Sequence, residues 1–269
     1  GINTYPMYWN KSTQDTVSSK YGDIDLIFSA NTVSHVQNLE ETLTLIRDSL
    51  SEDGVFVLET PSFLEVLKYN AFDQFYHEHQ SYFSYVSVKN IVEKLGMRVF
   101  DLEMYPVHGG TYRFFICKEN ANHSNKVKNK YLDNEMRFGI DNYSNLCGVM
   151  DIMKSNMVSI KDMLEDIKKG GHTIVGYGAT AKFTNVMNMC GLNNNHIDYV
   201  LDTTPLKNNK WIPNTGVQIK AYTPNRVKDI DYFYLGAWNY RKEVLNKESE
   251  YIKNGGKFIT HVPKVEIIK

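Results

Sequence analysis

Apolar positions in the first 118 residues alternate between short unbroken runs and runs at helical spacing. LIFSA, flanked by Asp25 and Asn31, reads as a buried parallel strand whose carboxyl end opens into a loop. From Thr32 to Ser51, Val36, Leu39, Leu43, Ile46 and Leu50 recur as one face of a helix. Asp53-Gly54 turns into a strand, VFVLET, which Pro61 closes. Val86 to Leu95 predicts a second amphipathic helix stopped by Gly96. Met97 to Met104 and Thr111 to Lys118 predict two strands joined through YPVHGG. This order is that of the later half of an open α/β sheet, where ligands bind beyond the carboxyl ends of the strands. Asn31, His35 and residues 72–85 are expected there.

Glu119 to Asn145 is polar and asparagine-rich, which predicts a bridging loop and an exposed helix. Val149 to Lys168 returns to helical spacing, with Ile152, Met153, Met157, Ile160, Leu164 and Ile167 on one face. The methionines there read as core filler. GHTIVGYGATAKFTNVMNMCGL then predicts strand, glycine turn and helix, and IDYVLD, FYLGAW and GGKFITHVP predict further strands. A second, smaller doubly wound unit follows from that pattern.

The composition narrows the classes without choosing one. A hydrophobic share of 42%, a charged share of 23% and a net charge of −1 over 269 residues describe an ordinary globular chain. Such a charge offers no electrostatic case for nucleic acid or an anionic membrane, and no apolar run reaches the roughly 18 residues of a span. Cys117, Cys147 and Cys190 are too dispersed for a zinc knuckle and odd in number, so neither metal cage nor disulfide framework is expected, and a reducing, cytoplasmic setting fits.

Candidate chemistry concentrates in FDQFYHEHQSYFS, residues 72–84, where Tyr76, His77, Glu78 and His79 are consecutive. Two imidazoles and a carboxylate among aromatic rings suit proton transfer near neutral pH. The same residues equally read as a solvated loop, or as two metal ligands in His77-x-His79. Gly176-Tyr177-Gly178 with Ala181, and Asp202 closing the next strand, match a relaxed dinucleotide fingerprint. Lys182 would meet a phosphate there or remain a solvated lysine. His108-Gly109-Gly110-Thr111 with Arg113 is either a second anion site or an ordinary hairpin turn.

IDLIFSANTVSHVQNL, FDQFYHEHQSYFS, PVHGGTYR and IVGYGATAKF, in this order, resemble the S-adenosylmethionine-dependent C-methyltransferases that act on nucleotide-linked keto sugars. The resemblance spans essentially the whole chain. It implies an α/β fold of two Rossmann-like doubly wound units, the first an incomplete class I methyltransferase domain (1–120), then a helical linker (121–168) and a substrate-binding Rossmann-like domain (169–269). It makes His79 the base, with Glu78 orienting it or holding a sugar hydroxyl, and Tyr76 and His35 as hydrogen-bond donors to the enolate oxygen. Ser29, Ala30, Asn31, Tyr8 and Trp9 become the cofactor edge, although Met7 stands where an acidic residue is usual. His108, Gly109, Gly110, Thr111, Arg113, Tyr177 and Lys182 would address the sugar nucleotide, which weakens the NAD reading of 176–181. The family's zinc-binding domain and cofactor-cradling glycine loop are expected before Gly1. The expected partner is a nucleotide-linked sugar, with no nucleic acid, no membrane and no metal in these residues.

Overall fold

The computed structural model describes residues 3–269. The chain gathers into two compact units, one running to Glu65 and resuming over His77–Asn142, the other made of Val66–Tyr76 and Tyr143–Lys269. The boundary therefore falls inside the YHEH run, between Tyr76 and His77.

The first unit opens with helix α1 (Lys11–Tyr21), capped by Asn10, whose side chain accepts from Thr13 N. Strand β1 (Ile24–Ala30) follows, then helix α2 (Leu39–Ser49), strand β2 (Leu50–Pro61) and the short helix α3 (Phe63–Lys68), within which the chain changes units. Helix α4 (Tyr85–Lys94), strands β3 (Met97–Tyr105) and β4 (Thr111–Lys118) and helix α5 (Lys130–Phe138) complete it. The sheet order is β1-β2-β4-β3, with β1 and β2 parallel and β4 antiparallel to both neighbours. Leu43, Ile46, Phe56, Val88, Phe114 and Ile116 form the centre of its core. Each such side chain contributes roughly 1.5–3 kcal/mol when fully buried.

Three expectations change here. The helix predicted over 32–51 begins at Leu39, because the Asn38 side chain accepts from Glu41 N and the residues before it turn separately as a 3-10 segment, Val33–His35. β1 is a sheet edge rather than a buried strand: Leu26 and Phe28 are 62% and 57% exposed, while Ile27, on the opposite face, packs against the core. The polar stretch after Glu119 is not merely bridging. α5 turns Tyr131 and Glu135 inward, and the Glu135 carboxylate accepts from Tyr85 N (2.7 Å) and Val86 N (2.9 Å) at the start of α4. A single buried acid on a mostly polar helix gives no periodic signal of its own.

The second unit contains helix α6 (Tyr143–Lys169), strand β5 (Ile174–Tyr177), helix α7 (Ala181–Met189) and strands β6 (Tyr199–Asp202), β7 (Trp211–Ile212), β8 (Val217–Ala221) and β9 (Tyr232–Leu235). Helices α8 (Arg241–Lys247) and α9 (Ser249–Lys253) and strands β10 (Lys257–Thr260) and β11 (Glu266–Ile268) end it. Its sheet runs β11-β10-β9-β5-β6-β8-β7, parallel through the middle with antiparallel edges. From β5 the chain runs outward through β6 and β8 on one side and then through β9 and β10 on the other, so the strand order reverses between β5 and β9. Met153, Ile160, Leu164 and Ile167 of α6 are buried as the spacing predicts, whereas Ile152 is 53% exposed. The predicted mixed α/β class with Rossmann-like units holds.

Candidate active site

In the first unit the turn after β1 and the loop before α4 are tied together. Ser34 O accepts from Gln80 N (2.8 Å) and Ser81 N (3.2 Å). His35 Nδ1 lies 2.8 Å from Glu78 O, and because a carbonyl only accepts, Nδ1 carries the proton. The His35 and His79 rings stand 5.0 Å apart, and Tyr82 meets His79 edge-on at 5.9 Å. His35, Glu78 and His79 are thus brought together from positions 43 residues apart. The Glu78 side chain itself is exposed. A neutral His35 leaves Nε2 as an acceptor, so it donates from that atom only when protonated. Among the described residues no group of three or more His, Cys, Asp or Glu is gathered as metal ligands.

At the carboxyl end of β1, Asn31 takes φ +52°, with its N–H bonded to Glu59 O. Its buried Oδ1 has no hydrogen-bond partner, and neither has the buried Trp9 Nε1. Trp9 packs against the core, whereas Tyr8 is 90% exposed with its carbonyl accepting from Thr13 Oγ1. Ser29 is half-buried and Ala30 exposed. Unsatisfied buried polar atoms are rare enough to mark a place for a partner.

The HGGT turn is left-handed over three residues, His108 (φ +54°), Gly109 (+87°) and Gly110 (+122°). A Cβ on Gly110 would come within 2.8 Å of Glu65 Cγ, so only glycine passes there. Thr111 is buried, its hydroxyl donating to Val107 O. Arg113 does not offer a free fork. Its Nε and Nη2 donate to Glu59 Oε2 at 2.9 and 2.7 Å, Nη1 reaches Tyr105 Oη at 3.1 Å, and the guanidinium lies over the Tyr105 ring. Strand register dictates this, since Glu59, Arg113 and Glu103 are direct cross-strand neighbours. Arg113, expected to address the diphosphate, is engaged in a cross-strand ion pair with Glu59.

In the second unit the dinucleotide reading loses its acid. Asp202 accepts from Ala179 N (2.8 Å), Thr204 N (2.7 Å) and Lys207 Nζ (3.3 Å), closing the glycine loop on itself. Burial alone would lift its carboxyl, but the Thr204 and Ala179 hydrogen bonds and the Lys207 charge hold it below the usual range. Tyr177 points to Glu248, which accepts from Tyr177 (2.7 Å) and Tyr222 (2.6 Å). Burial and that acid push the Tyr222 hydroxyl up to about 12. Lys182 behaves differently. Its ammonium is buried without a hydrogen-bond partner, 5.1 Å above the Trp238 ring. Burial lowers its pKa, with the Asp73 charge opposing.

Residues 106–263 match the model of a C-methyltransferase C-terminal domain, and residues 5–102 that of a methyltransferase domain. The chain belongs to the C-methyltransferase family. The C-methyltransferase NovU of Streptomyces niveus is 31% identical over 271 residues, a match that covers the whole of this chain and 64% of that relative's length. In this C-methyltransferase family member, the C-terminal match begins inside the first compact unit, at the HGGT hairpin, rather than at the boundary after Asn142.

Sequence reasoning missed the residues that surround Lys182. Asp73, Trp238 and His261 are buried together, with Trp238 Nε1 donating to Asp73 Oδ2 at 2.6 Å. Asp73 sits three positions before Tyr76 in the very stretch singled out, but a lone acid in an aromatic run gives no pattern. Trp238 reads from sequence as packing, and only its indole N–H shows otherwise. No helix of the described residues is long and apolar enough to cross a membrane.

Proposed function

We propose that the protein is a C-methyltransferase that transfers a methyl group to the carbon beside the ketone of a nucleotide-linked deoxy keto sugar, by way of an enolate. The observation that carries this reading is the His35–His79 pair, 5.0 Å apart beyond the end of a parallel strand. Methylation at carbon needs an electron-rich carbon, and a neighbouring ketone makes the proton on that carbon removable by an imidazole. His79 takes the proton and holds it on its ring. Tyr76 donates toward the enolate oxygen, and His35 joins it only as the imidazolium, since its Nδ1–H is committed to Glu78 O. Glu78, exposed at the same loop, holds a sugar hydroxyl.

S-adenosylmethionine, when bound, supplies the electrophilic methyl. Two unpartnered atoms of the first unit fit that group, Asn31 Oδ1 as a buried acceptor and Trp9 Nε1 as a buried donor, and Ser29 adds a hydroxyl two residues before Asn31. The exposed Tyr8 and Ala30 complete the edge that the family resemblance assigns. His108, Gly109, Gly110 and Thr111 are the first unit's candidates for addressing the sugar nucleotide, and Tyr177 and Lys182 are the second unit's. Of these, Lys182 carries a buried ammonium without a hydrogen-bond partner, with the Asp73 charge acting on it. Work on activated sugars agrees with a cytoplasmic setting.

Solvent-deuterium exchange at the carbon beside the ketone, followed by NMR with a panel of nucleotide-linked 4-keto sugars, tests the reading. Exchange that vanishes in His79→Ala supports it. Absence of exchange with every sugar, in folded protein that still binds them, leaves a binding role without catalysis.

A further inference from the structure

The segment Val66–Tyr76 belongs to the second unit, where two sets of contacts hold it in place. Phe72, Asp73 and Gln74 form a single 3-10 turn, and all three are buried. Asn185, on α7, donates from one Nδ2 to Asp73 O (3.1 Å) and to Phe75 O (3.0 Å). One carboxamide thus pins the main chain on both sides of Gln74, up to the residue before Tyr76.

The second set surrounds the Asp73 side chain. Its carboxylate accepts from Trp238 Nε1 at 2.6 Å and lies 3.5 Å from His261 Nε2, and both Asp73 and His261 are fully buried. His261 is fixed in turn, its Nδ1 meeting the Tyr234 hydroxyl at 3.0 Å and its ring stacking on Tyr234 and tilting against Phe72. Burial by itself would raise the Asp73 carboxyl, but His261, Lys182 and Trp238 together hold it below the ordinary value. A buried charged cluster of this kind is a poor source of stability, because well-packed apolar residues of the same volume usually do as well or better. Asp73 Oδ1, His261 Nε2 and Lys182 Nζ even lack hydrogen-bond partners. What such a cluster does supply is direction. An indole N–H and a carboxylate oxygen meet in one geometry only, whereas an apolar contact tolerates sliding.

We propose that Asp73 and Asn185 are positioning residues for Tyr76, fixing the turn that aims its hydroxyl. This rests on the reading that Tyr76 takes part in the reaction. Neither residue needs to touch substrate; both act through the backbone from Phe72 to Phe75. A displacement of about 1 Å at a reacting group costs on the order of 100-fold in rate, while binding by remote contacts is little affected.

The test uses the full chain and the variants Asn185→Ala and Asp73→Asn. Two quantities are followed: kcat and KM for deuterium exchange, and the ring-carbon NMR signal of Tyr76 in tyrosine-labelled protein, assigned by its loss in Tyr76→Phe. In Asn185→Ala, kcat is expected to fall about 10–100-fold with KM within about twofold, and the Tyr76 signal to shift or broaden. A folded Asn185→Ala with an unchanged Tyr76 signal and unchanged kcat overturns the proposal. Should Asp73→Asn fail to fold, Asn185→Ala decides alone. Should the parent protein show no exchange, the catalytic reading falls, but the Tyr76 signal still judges the positioning claim by the same criterion.

Discussion

Two parallel strands, one in each unit, end in the same backbone device and differ in what lies beyond it. β1 turns at Asn31 with φ +52°, and β5 turns at Gly178 with φ +87°. After β5 the loop closes on itself, because Asp202 and Lys207 take up its amide and carbonyl groups. After β1 one polar atom is left over: Asn31 Oδ1 is buried and unpartnered, and the His35 ring four residues on lies 5.0 Å from that of His79. A position at a strand's carboxyl end therefore does not make a binding edge. What sets the β1 end apart as a candidate is the polar atom left without an internal partner, and the same contrast separates Lys182 from Arg113.

The largest test of that contrast is at the β1 end. His79→Ala is expected to lower proton abstraction by at least about 100-fold, measured as deuterium exchange, with the thermal midpoint little changed. Retained exchange would move the base elsewhere. The closed loop should respond in stability instead. Asp202→Ala leaves the Ala179 and Thr204 N–H groups without their acceptor and is expected to cost about 1–3 kcal/mol in urea unfolding. If it abolished binding of a nicotinamide cofactor instead, the dinucleotide reading would return.

Asn31→Gly comes next. Glycine accepts the positive φ without strain and deletes only the free carboxamide. Affinity for S-adenosylmethionine by calorimetry is expected to drop about tenfold, roughly 1.4 kcal/mol, at nearly constant stability. A loss of stability with no loss of affinity would make Asn31 a structural turn like its counterpart. Arg113→Gln breaks a partly buried pair with Glu59 and should cost about 1 kcal/mol, leaving sugar-nucleotide affinity intact; weakened binding at full stability would restore its anion role.

The smallest effect is on pH dependence. Asp202 is held below its unfolded value of about 3.9. Its contribution is therefore fully present above that value and disappears as pH falls through the lower, folded value. The stability of the parent protein should decline more steeply than that of Asp202→Asn as the pH falls below about 4. Parallel curves for the two would mean that the carboxylate contributes nothing through its charge.

Much of the candidate site could be read in advance, since the crowding of Tyr76, His77, Glu78 and His79 is a local property and His35 follows a recognisable strand. The pairings that sequence does not foretell share one cause: Glu59 is 54 positions from Arg113, and Ala179 is 23 from Asp202. Whether a charged group is available depends on which distant strand or loop packs beside it.

By itself the sequence determined the alternation of strands and helices, the two α/β halves, the glycine positions that a left-handed turn requires and the family likeness. These follow from nearest-neighbour periodicity and backbone sterics, which act over a few residues. Tertiary structure alone decided that Asp73 pairs with Trp238, 165 residues away, that Glu135 caps α4, and that the chain changes units between Tyr76 and His77. Those outcomes depend on hydrogen bonds whose partners are brought close only by packing, where an unmade bond is costly and a made one selects a single arrangement.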